Sequence, residues 1–320
     1  MRNSVVAVGN VVADFIAASI GRFPNWGEHV EAKETVQLNI GGNAANFAVC
    51  LAKLGVPTAL VGKVGRDPLG QTLLDLLRKA KVDISQVSLC DIPTSISLIA
   101  SNLQGERGII HYIGSNASLT HEDVTAESLG DADILHLCAY YLMPGLKGES
   151  SERVLKKAKG QGLTTTFDVA WDINGSWRMG GILEFVDFFL PNEKEAAMIT
   201  GKTDPIESSK SLIEMGAKNV VIKLGPRGCL IRASDGDTME IPAYRVPVVD
   251  TTGAGDAFDA GFVYGLLENW SLKKIGRFAN AVAALTLAKP SGTGSAPCLS
   301  DALTLSQISH DSRVRNSKKV

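Results

Sequence analysis

The chain has 320 residues, of which 45% are apolar and 21% are charged, as in ordinary globular proteins. This composition excludes a disordered or fibrous chain, and the length fits one large α/β domain or two smaller ones. The net charge of -2 provides no basic field that would attract nucleic acid, so no DNA or RNA partner is expected.

The first fifteen residues are typical of a buried strand rather than a leader peptide, because Gly9, Asn10 and Asp14 interrupt the apolar run. No stretch reaches the roughly 20 uninterrupted apolar residues that a membrane-spanning helix needs. We therefore expect a cytoplasmic protein with no membrane partner. The five cysteines lie far apart without C-x-x-C spacing, so neither a disulfide framework nor a zinc site is expected.

Short β-branched runs alternate along the chain with longer stretches of helical period. This alternation predicts a mostly parallel sheet covered by helices, hence an α/β fold. The spacing predicts strands at 4–9, 58–62, 134–137, 164–168, 187–190 and 219–224. It predicts helices at 43–54, 69–80, 152–159, 193–200, 206–215, 255–267 and 272–288.

Two regions, 15–40 and 94–113, have the pattern of strands and hairpins without helices. They predict a small added β-sheet, and the alternative is that they are extra edge strands of the main sheet. We expect a single domain over 1–309. The polar, basic segment 310–320 is expected to be a disordered tail.

A glycine turn lies directly before one of the predicted helices, with the sequence Asp250-Thr-Thr-Gly-Ala-Gly-Asp256. The backbone amides of Gly253, Ala254 and Gly255 would lie at the helix N-terminus, where unpaired N–H groups and the helix dipole favour an anion. Asp256 would lie beside them. Phosphoryl transfer to a hydroxyl needs such a pair, donors for the phosphoryl group and an acceptor for the proton. The alternative is a capping aspartate after a turn.

A second glycine segment, Gly41-Gly42-Asn43-Ala-Ala-Asn46, leads into the predicted helix at 43–54. Its glycines would let a ligand approach the backbone closely, and the Asn46 amide would face a polar ligand. The alternative is a helix entry with a well-placed cap.

Asn192 and Glu195 follow the predicted strand at 187–190, at the end of the sheet where open α/β proteins bind ligands. Residues three apart share one face of a helix, and this pair suits a Mg²⁺ ion that keeps most of its waters. An Asn followed three residues later by Glu is also a capping box, which is the alternative.

The segment Lys223-Leu-Gly225-Pro-Arg-Gly228 joins the predicted strand at 219–224 to its apparent hairpin partner. It is either a plain turn or a loop whose lysine and backbone contact nucleotide phosphates. The segment 65–72 has P-loop spacing, but Gln71 stands where the phosphate-binding lysine must be, so it is no Walker A site.

In this order and spacing, the Gly-Gly-x-x-x-Asn entry, the Asn-x-x-Glu pair and the Asp-Thr-Thr-Gly-Ala-Gly-Asp turn resemble the ribokinase-like (PfkB-type) carbohydrate kinases. The resemblance covers the chain from Val5 to Pro297. It implies a three-layer α/β/α sandwich with a mostly parallel central sheet and a small β-sheet lid over the sugar site. The regions 15–40 and 94–113 fall where that lid belongs.

The resemblance implies that Asp256 takes the proton of the acceptor hydroxyl. It also implies that the amides of Gly253, Ala254 and Gly255 form the anion hole for the transferring phosphoryl group.

ATP and Mg²⁺ are the implied cofactors, and K⁺ is a further one. The nucleotide and metal residues carried over are Asn192 and Glu195 for Mg²⁺ through water, Lys223, Gly225 and Gly228 along the phosphates, Asn280 near the adenine, and Asp250 and Thr252 for K⁺.

For the acceptor, the resemblance implies that Asp14, Gly42 and Asn46 hold hydroxyl groups, and Asn10 is a further candidate for shaping the pocket. The chain departs from its specific relatives at three places. Val12 replaces an Asn of the ribose kinases, Ala170 stands where fructose and ketodeoxygluconate kinases carry Asn, and Tyr112 is not followed by Arg. The sugar therefore stays open.

These features predict an ATP-dependent transfer of phosphate to a pentose or hexose. The alternatives are a nucleoside kinase of the same fold, a non-catalytic sugar- or nucleotide-binding sensor, and a protein that binds a phosphate group without transferring it. A flat lid with exposed apolar positions predicts a homodimer formed through the lid, and the alternative is a lid whose strand edges are blunted by charge.

Overall fold

Strands and helices alternate over residues 4–102, 107–289 and 295–316, the parts of the chain that the computed structural model describes. The strands are β1 (Val5–Val8), β2 (Val12–Ile20), β3 (Gln37–Gly41), β4 (Thr58–Gly65), β5 (Val87–Cys90), β6 (Ile96–Asn102), β7 (Arg107–Tyr112), β8 (Ile134–Leu137), β9 (Thr164–Phe167), β10 (Phe188–Phe189), β11 (Asn219–Lys223), β12 (Cys229–Arg232) and β13 (Thr238–Ile241). The helices are α1 (Asn43–Lys53), α2 (Pro68–Lys79), α3 (Ala126–Leu129), α4 (Glu149–Gly160), α5 (Glu193–Thr200), α6 (Pro205–Glu214), α7 (Ala254–Leu267), α8 (Leu272–Leu287) and α9 (Leu299–Asn316).

The main sheet has nine strands in the order β13-β12-β11-β10-β9-β8-β1-β4-β5. It is parallel from β5 to β11, and β12 and β13 add an antiparallel edge. All four residues of β1 are buried valines and alanine, as a strand covered on both faces requires. Connections between parallel strands are right-handed almost without exception, which puts α1 and α2 on one face of the sheet and α4, α5 and α6 on the other. Helix α7 packs against α1, and α8 packs against α7. This confirms the predicted three-layer sandwich.

The strand order reverses at β1, which pairs with β4 on one side and with β8 on the other. In open α/β sheets the carboxyl ends of the strands at such a reversal leave a crevice that binds ligands. The predicted functional segments should therefore meet at this edge of the sheet.

A separate four-stranded sheet in the order β3-β2-β6-β7, called the lid sheet below, is built from the two regions that lack helices. Its first strand begins at Val12, slightly before the predicted region. The predicted β lid is confirmed, and the alternative of extra edge strands in the main sheet is wrong. Phe15, Leu38 and Ile40 pack one face of the lid sheet against the hydrophobic core.

The two sheets share one continuous stretch of chain, because only residues 9–11 separate β1 from β2. The side chain of Asn116 fixes this junction. Its Oδ1 accepts from the Val11 amide at 3.1 Å, and its Nδ2 donates to the Val11 carbonyl at 3.1 Å. Both backbone groups of Val11 are thereby satisfied inside the protein.

Helix α7 is buried on nearly every side, with two acidic residues, Asp256 and Asp259, among its buried positions. A helix buried all round belongs to the interior of a large domain, and carboxylates there need partners. At the C-terminus, α9 extends over the first part of the predicted tail as far as Asn316, and residues 317–320 lie outside the described residues. No helix in the described ranges is both long and apolar enough to cross a bilayer.

Asp67 caps α2 and also holds the chain that leads into lid strand β6. Its carboxylate accepts from the Gly70 amide at 2.8 Å, the Thr94 amide at 2.7 Å and the Thr94 hydroxyl at 2.8 Å. Thr94 is buried, so water cannot replace these bonds without opening the structure.

Replacing Asp67 by Ala should lower the free energy of unfolding by about 1–3 kcal/mol, because it removes a helix cap and leaves buried donors unpaired. Chemical denaturation followed by circular dichroism measures this change. Asp75→Ala is the matched control on the same helix, since it breaks the exposed contacts with Arg78 and Gln71 and should cost less than about 1 kcal/mol. Equal losses in both variants would contradict this account of the cap.

Candidate active site

The carboxylate of Asp256 is held between two helix N-termini. It lies in the first turn of α7, which begins after Gly253 in a left-handed conformation with φ of 73°. From α1, Asn43 Nδ2 donates to Oδ1 at 2.9 Å and Asn46 Nδ2 donates to Oδ2 at 3.0 Å. Each carboxylate oxygen therefore has its own donor, which fixes the orientation of the group.

Burial raises the pKa of Asp256 to about 6, although the hydrogen bond from Asn46 opposes the rise. The charge of Asp168 raises it further. A carboxylate in this range is ionised at neutral pH and basic enough to share a proton. Asn46, which the sequence predicts to hold the acceptor, also donates its amide to Asp256. The partner role of Asn43 was missed although it lies in the quoted glycine segment.

The glycine turn and Lys223 form a positively charged corner beside Asp256. The first amides of α7, from Ala254 onward, have no partners within the helix. A Cβ atom placed on Gly255 would lie 3.7 Å from Lys223 Nζ, so the ammonium group borders the turn. The helix N-terminus and the ammonium group together favour an anion at this point.

Lys223 is in turn held by two carboxylates. Its Nζ lies 3.1 Å from Asp259 Oδ2 and 3.5 Å from Asp168 Oδ1. Burial lowers the pKa of Lys223, but attraction to these carboxylates outweighs it and keeps the pKa above its ordinary value. Lys223 therefore stays charged. Asp259 was not singled out from the sequence, although an acid three residues after Asp256 in an apolar helix faces the same side.

Asn192 and Glu195 form a complete capping box at the start of α5. The Glu195 amide donates to Asn192 Oδ1 at 2.9 Å, and the Asn192 amide donates to Glu195 Oε2 at 2.8 Å. The capping alternative is therefore present in the structure. The capping box also borders the buried charges of the site. Burial and the charge of the nearby Asp168 raise the pKa of Glu195 to about 7.

A cleft of about 590 Å³ opens from the glycine turn toward β13. Four residues predicted along a nucleotide line it together with Ala254 and Gly255, namely Lys223, Gly225, Gly228 and Asn280. Asn280 Nδ2 donates to the carbonyls of Ile241 and Pro242 at 3.1 and 3.3 Å, which fixes the wall after β13. Ala283, Ala284 and Leu287 make one side of the cleft apolar.

Asp14 lies on the other side of Asp256, at the base of the lid sheet. A Cβ atom on Gly41 would lie 2.1 Å from Asp14 Cγ, so the glycine makes room for this carboxylate. Burial raises the pKa of Asp14 to about 7, a hydrogen bond with Ser97 opposes the rise, and the charge of Asp256 adds to it. The two carboxylates are therefore close enough to repel each other.

The remaining predicted residues make structural contacts. Asn10 Oδ1 accepts from the Ala44 amide at 3.3 Å, and Gly42 is the N-cap of α1. Asp250 Oδ1 accepts from the Thr252 amide at 2.7 Å in the turn before α7. The Asp250 amide donates to the Leu287 carbonyl of α8.

A family model described as pfkB family carbohydrate kinase matches residues 2–298. The chain belongs to the PfkB family of carbohydrate kinases. Its ordered motifs, rather than any one of them, carried the prediction of this family, and the match covers the same part of the chain.

The chain is similar to curated sugar kinases and to solved ribokinase structures. An uncharacterized sugar kinase of Archaeoglobus fulgidus is 33% identical over 75% of this chain and 94% of its own. The ATP-dependent 6-phosphofructokinase of Thermoanaerobacterium thermosaccharolyticum is 28% identical over 88% of this chain and 87% of its own. The structure of Arabidopsis thaliana ribokinase complexed with ribose and ATP is 29% identical and superposes with a TM-score of 0.83 over 96% of this chain and 99% of the other. This PfkB protein is an ATP-dependent carbohydrate kinase with the ribokinase fold.

The Asp256 carboxyl should titrate near pH 6, and Asn46→Ala should raise its pKa because a donor to the charged form is lost. Carbon-13 NMR of aspartate-labelled protein, assigned with Asp256→Asn, measures the titration without any substrate. Asn43→Ala should shift it in the same direction. A titration near the ordinary aspartate value of about 4 would contradict the assigned environment.

Proposed function

We propose that this carbohydrate kinase transfers the γ-phosphate of ATP to a hydroxyl group of a pentose or hexose, with Asp256 as the general base. The observation that carries the proposal is the position of Asp256. A buried carboxylate with both oxygens fixed by amide donors lies next to unpaired amides of α7 and the ammonium group of Lys223. A proton acceptor and phosphoryl donors are thus side by side.

In this mechanism the acceptor hydroxyl lies against Asp256, in line with the γ-phosphorus. A bond forms from the hydroxyl oxygen to phosphorus as the bond from phosphorus to the oxygen of ADP breaks, and the hydroxyl proton passes to Asp256. The amides of Gly253, Ala254 and Gly255 donate to the transferring phosphoryl oxygens. Asp256 later releases the proton to water.

The cleft beside the glycine turn fits the nucleotide in size and character. Lys223, Gly225 and Gly228 would follow the phosphates, and Asn280 would lie by the adenine next to the apolar wall. Since Lys223 is fixed by Asp168 and Asp259, its charge is already in place before the nucleotide arrives.

The metal sites in this proposal depend on water and phosphate as much as on the protein. Among the described residues there is no cluster of three His, Cys, Asp or Glu side chains that could hold a metal ion. Asn192 and Glu195 would hold Mg²⁺ through its waters, which is a common arrangement for this ion. When bound, Mg²⁺ supplies positive charge that neutralises the phosphates. The turn at Asp250 and Thr252 would hold K⁺.

On the acceptor side, Asp14, Gly42 and Asn46 would hold the sugar hydroxyls, and Asn10 would shape the base of the pocket. Burial raises the pKa values of Asp14 and Asp256, and the charge of Asp256 adds to the rise at Asp14. In this proposal the sugar occupies the space between the two carboxylates. Hydroxyl groups in that space would donate to both and relieve their desolvation.

The test is ADP release with ATP and Mg²⁺, with and without K⁺, across pentoses, hexoses, sugar acids, polyols and nucleosides. We expect turnover with a pentose or hexose, and a loss of about 100-fold or more in kcat for Asp256→Asn with the KM for ATP nearly unchanged. Near-normal turnover in Asp256→Asn would overturn the general base. Turnover with nucleosides alone would assign a nucleoside kinase, and nucleotide binding without turnover would assign a sensor.

We further propose that two copies pair through the lid sheet. Leu98, Ile110 and Tyr112 are about half exposed and lie on one face, since Leu98 pairs with Ile110 and Tyr112 with Ile96. Phe15 projects from the same face, where it packs against the hydrophobic core. The apolar surface of this face therefore extends past the part that the core covers. Strand β7 is an edge strand, and a second copy would cover both edge and patch.

Light scattering after gel filtration should give the mass of a dimer, and Ile110→Lys should convert it to a monomer because a charge would be buried at the interface. The control is Ile173→Lys, an equally drastic change at an isoleucine that is 69% exposed outside the lid sheet. A monomeric wild-type protein, or no effect of Ile110→Lys, would contradict this interface.

A further inference from the structure

A row of polar side chains crosses the lid sheet at the level of Asp14. Asp14 of β2 is directly paired with Asn39 of β3 and with Ser97 of β6, and Ser97 is paired with His111 of β7. Directly paired residues of neighbouring strands project from the same face of a sheet. Asn39, Ser97 and His111 therefore share the face on which Asp14 meets Asp256.

Three members of this row are linked to one another. Ser97 makes a side-chain hydrogen bond with Asp14, and its hydroxyl lies 3.1 Å from His111 Nδ1. Burial also lowers the pKa of His111, so the imidazole is neutral at physiological pH. The row thus offers no positive charge, which suits an uncharged sugar rather than a sugar acid.

Asn39 is the exception in the row. Its Nδ2 is buried, yet it has no hydrogen-bond partner within the part of the chain that the structure describes. Its neighbours in β3 leave little freedom to turn away, because Leu38 and Ile40 pack into the core on the opposite face. An unpaired buried amide costs about 1–3 kcal/mol, so native structures rarely keep one without a use.

We propose that Asn39 is a specificity-determining residue that donates a hydrogen bond to the sugar oxygen adjacent to the hydroxyl held by Asp14. This inference rests on the proposed function. A carboxylate that accepts and an amide that donates, side by side, match two neighbouring oxygens of one sugar, the first as a hydroxyl donor and the second as an acceptor. The acceptor class is an uncharged sugar with oxygens on adjacent carbons at this end of the molecule.

Asp14 and Asn39 are direct neighbours on one face of the lid sheet, so a single sugar edge would meet both. The glycine at position 41 makes room for the Asp14 carboxylate on that face. Since Asn39 Nδ2 is closed to water, its amide group must rotate to meet the sugar. Asn39 is not among the three positions, Val12, Ala170 and the residue after Tyr112, at which the chain departs from its specific relatives. The contact proposed for Asn39 therefore does not depend on those positions.

The experiment combines truncation of the Asn39 side chain with removal of single hydroxyl groups from the sugar. For the sugar found in the acceptor panel, Asn39→Ala should raise KM roughly three- to tenfold while kcat and the KM for ATP stay unchanged. Each single deoxy analogue of that sugar is then measured with both proteins. For one analogue the wild type should lose a similar factor, and Asn39→Ala should add no further loss.

Gln37→Ala is the matched control, since Gln37 is exposed on the same strand and the same face but lies outside the row. It should leave all constants unchanged. Asn39→Ser, which keeps a donor on a shorter side chain, should restore part of the affinity and serves if the alanine variant is unstable. Circular dichroism of each variant reports folding.

Equal losses of Asn39→Ala on the full sugar and on every deoxy analogue would overturn the inference, and so would no loss at all. In both cases an active wild type leaves the proposed kinase function standing. A wild type that phosphorylates no sugar overturns the proposed function, and this inference with it.

Discussion

The site depends on one constraint: a carboxylate must stay ionised while buried at the meeting point of two helices. Asp256 satisfies it because α1 provides two amide donors, one for each oxygen, and α7 presents its positive end. Burial raises the free energy of the ionised carboxylate, and the hydrogen bonds from the two amides offset only part of that cost. The result is a carboxylate of intermediate basicity, and the packing of α1 against α7 is what maintains it.

Charge balance extends this constraint to the surrounding shell. Asp168 and Asp259 hold Lys223 against the glycine turn, while Asp168 also raises the pKa of Glu195. One ammonium group therefore serves several carboxylates within one buried region. Asp168, Asp259, Asp256 and Glu195 thus share one buried ammonium group among them.

Much of the fold follows from local pattern. The strand at 134–137 and the helix at 193–200 coincide with β8 and α5, and the buried β1 lies within its predicted range. These segments are strongly patterned, so burial and helical period suffice to define them. Strand β5 was missed because Val87–Cys90 is short and half exposed and has no alternation of its own. The lid sheet was predicted only as irregular strands, since its pairing joins segments far apart in the chain.

The site divides in the same way. The glycine turn and Asp256 can be identified from the sequence, whereas the partners of Lys223 depend on which strands and helices meet. Asp168 directly follows β9 and Asp259 lies in α7, and only the tertiary fold places both at one ammonium group. Asn192 and Glu195 show the converse case. The capping box that they form is a local motif visible in the sequence, whereas the nearby charge of Asp168 depends on the tertiary fold.

The Asn116 clamp on Val11 has a mechanical consequence. The clamp lies at the end of the lid sheet nearest the body, where β1 passes into β2 and β3 passes into α1. In a tilt of the sheet about this end, displacement would grow with distance from it. Asp14 is three residues beyond Val11, or about 10 Å along the strand, whereas Ile20 is about 30 Å away. The end of the sheet that carries Asp14 would thus change position little, while the far ends of its strands would move most.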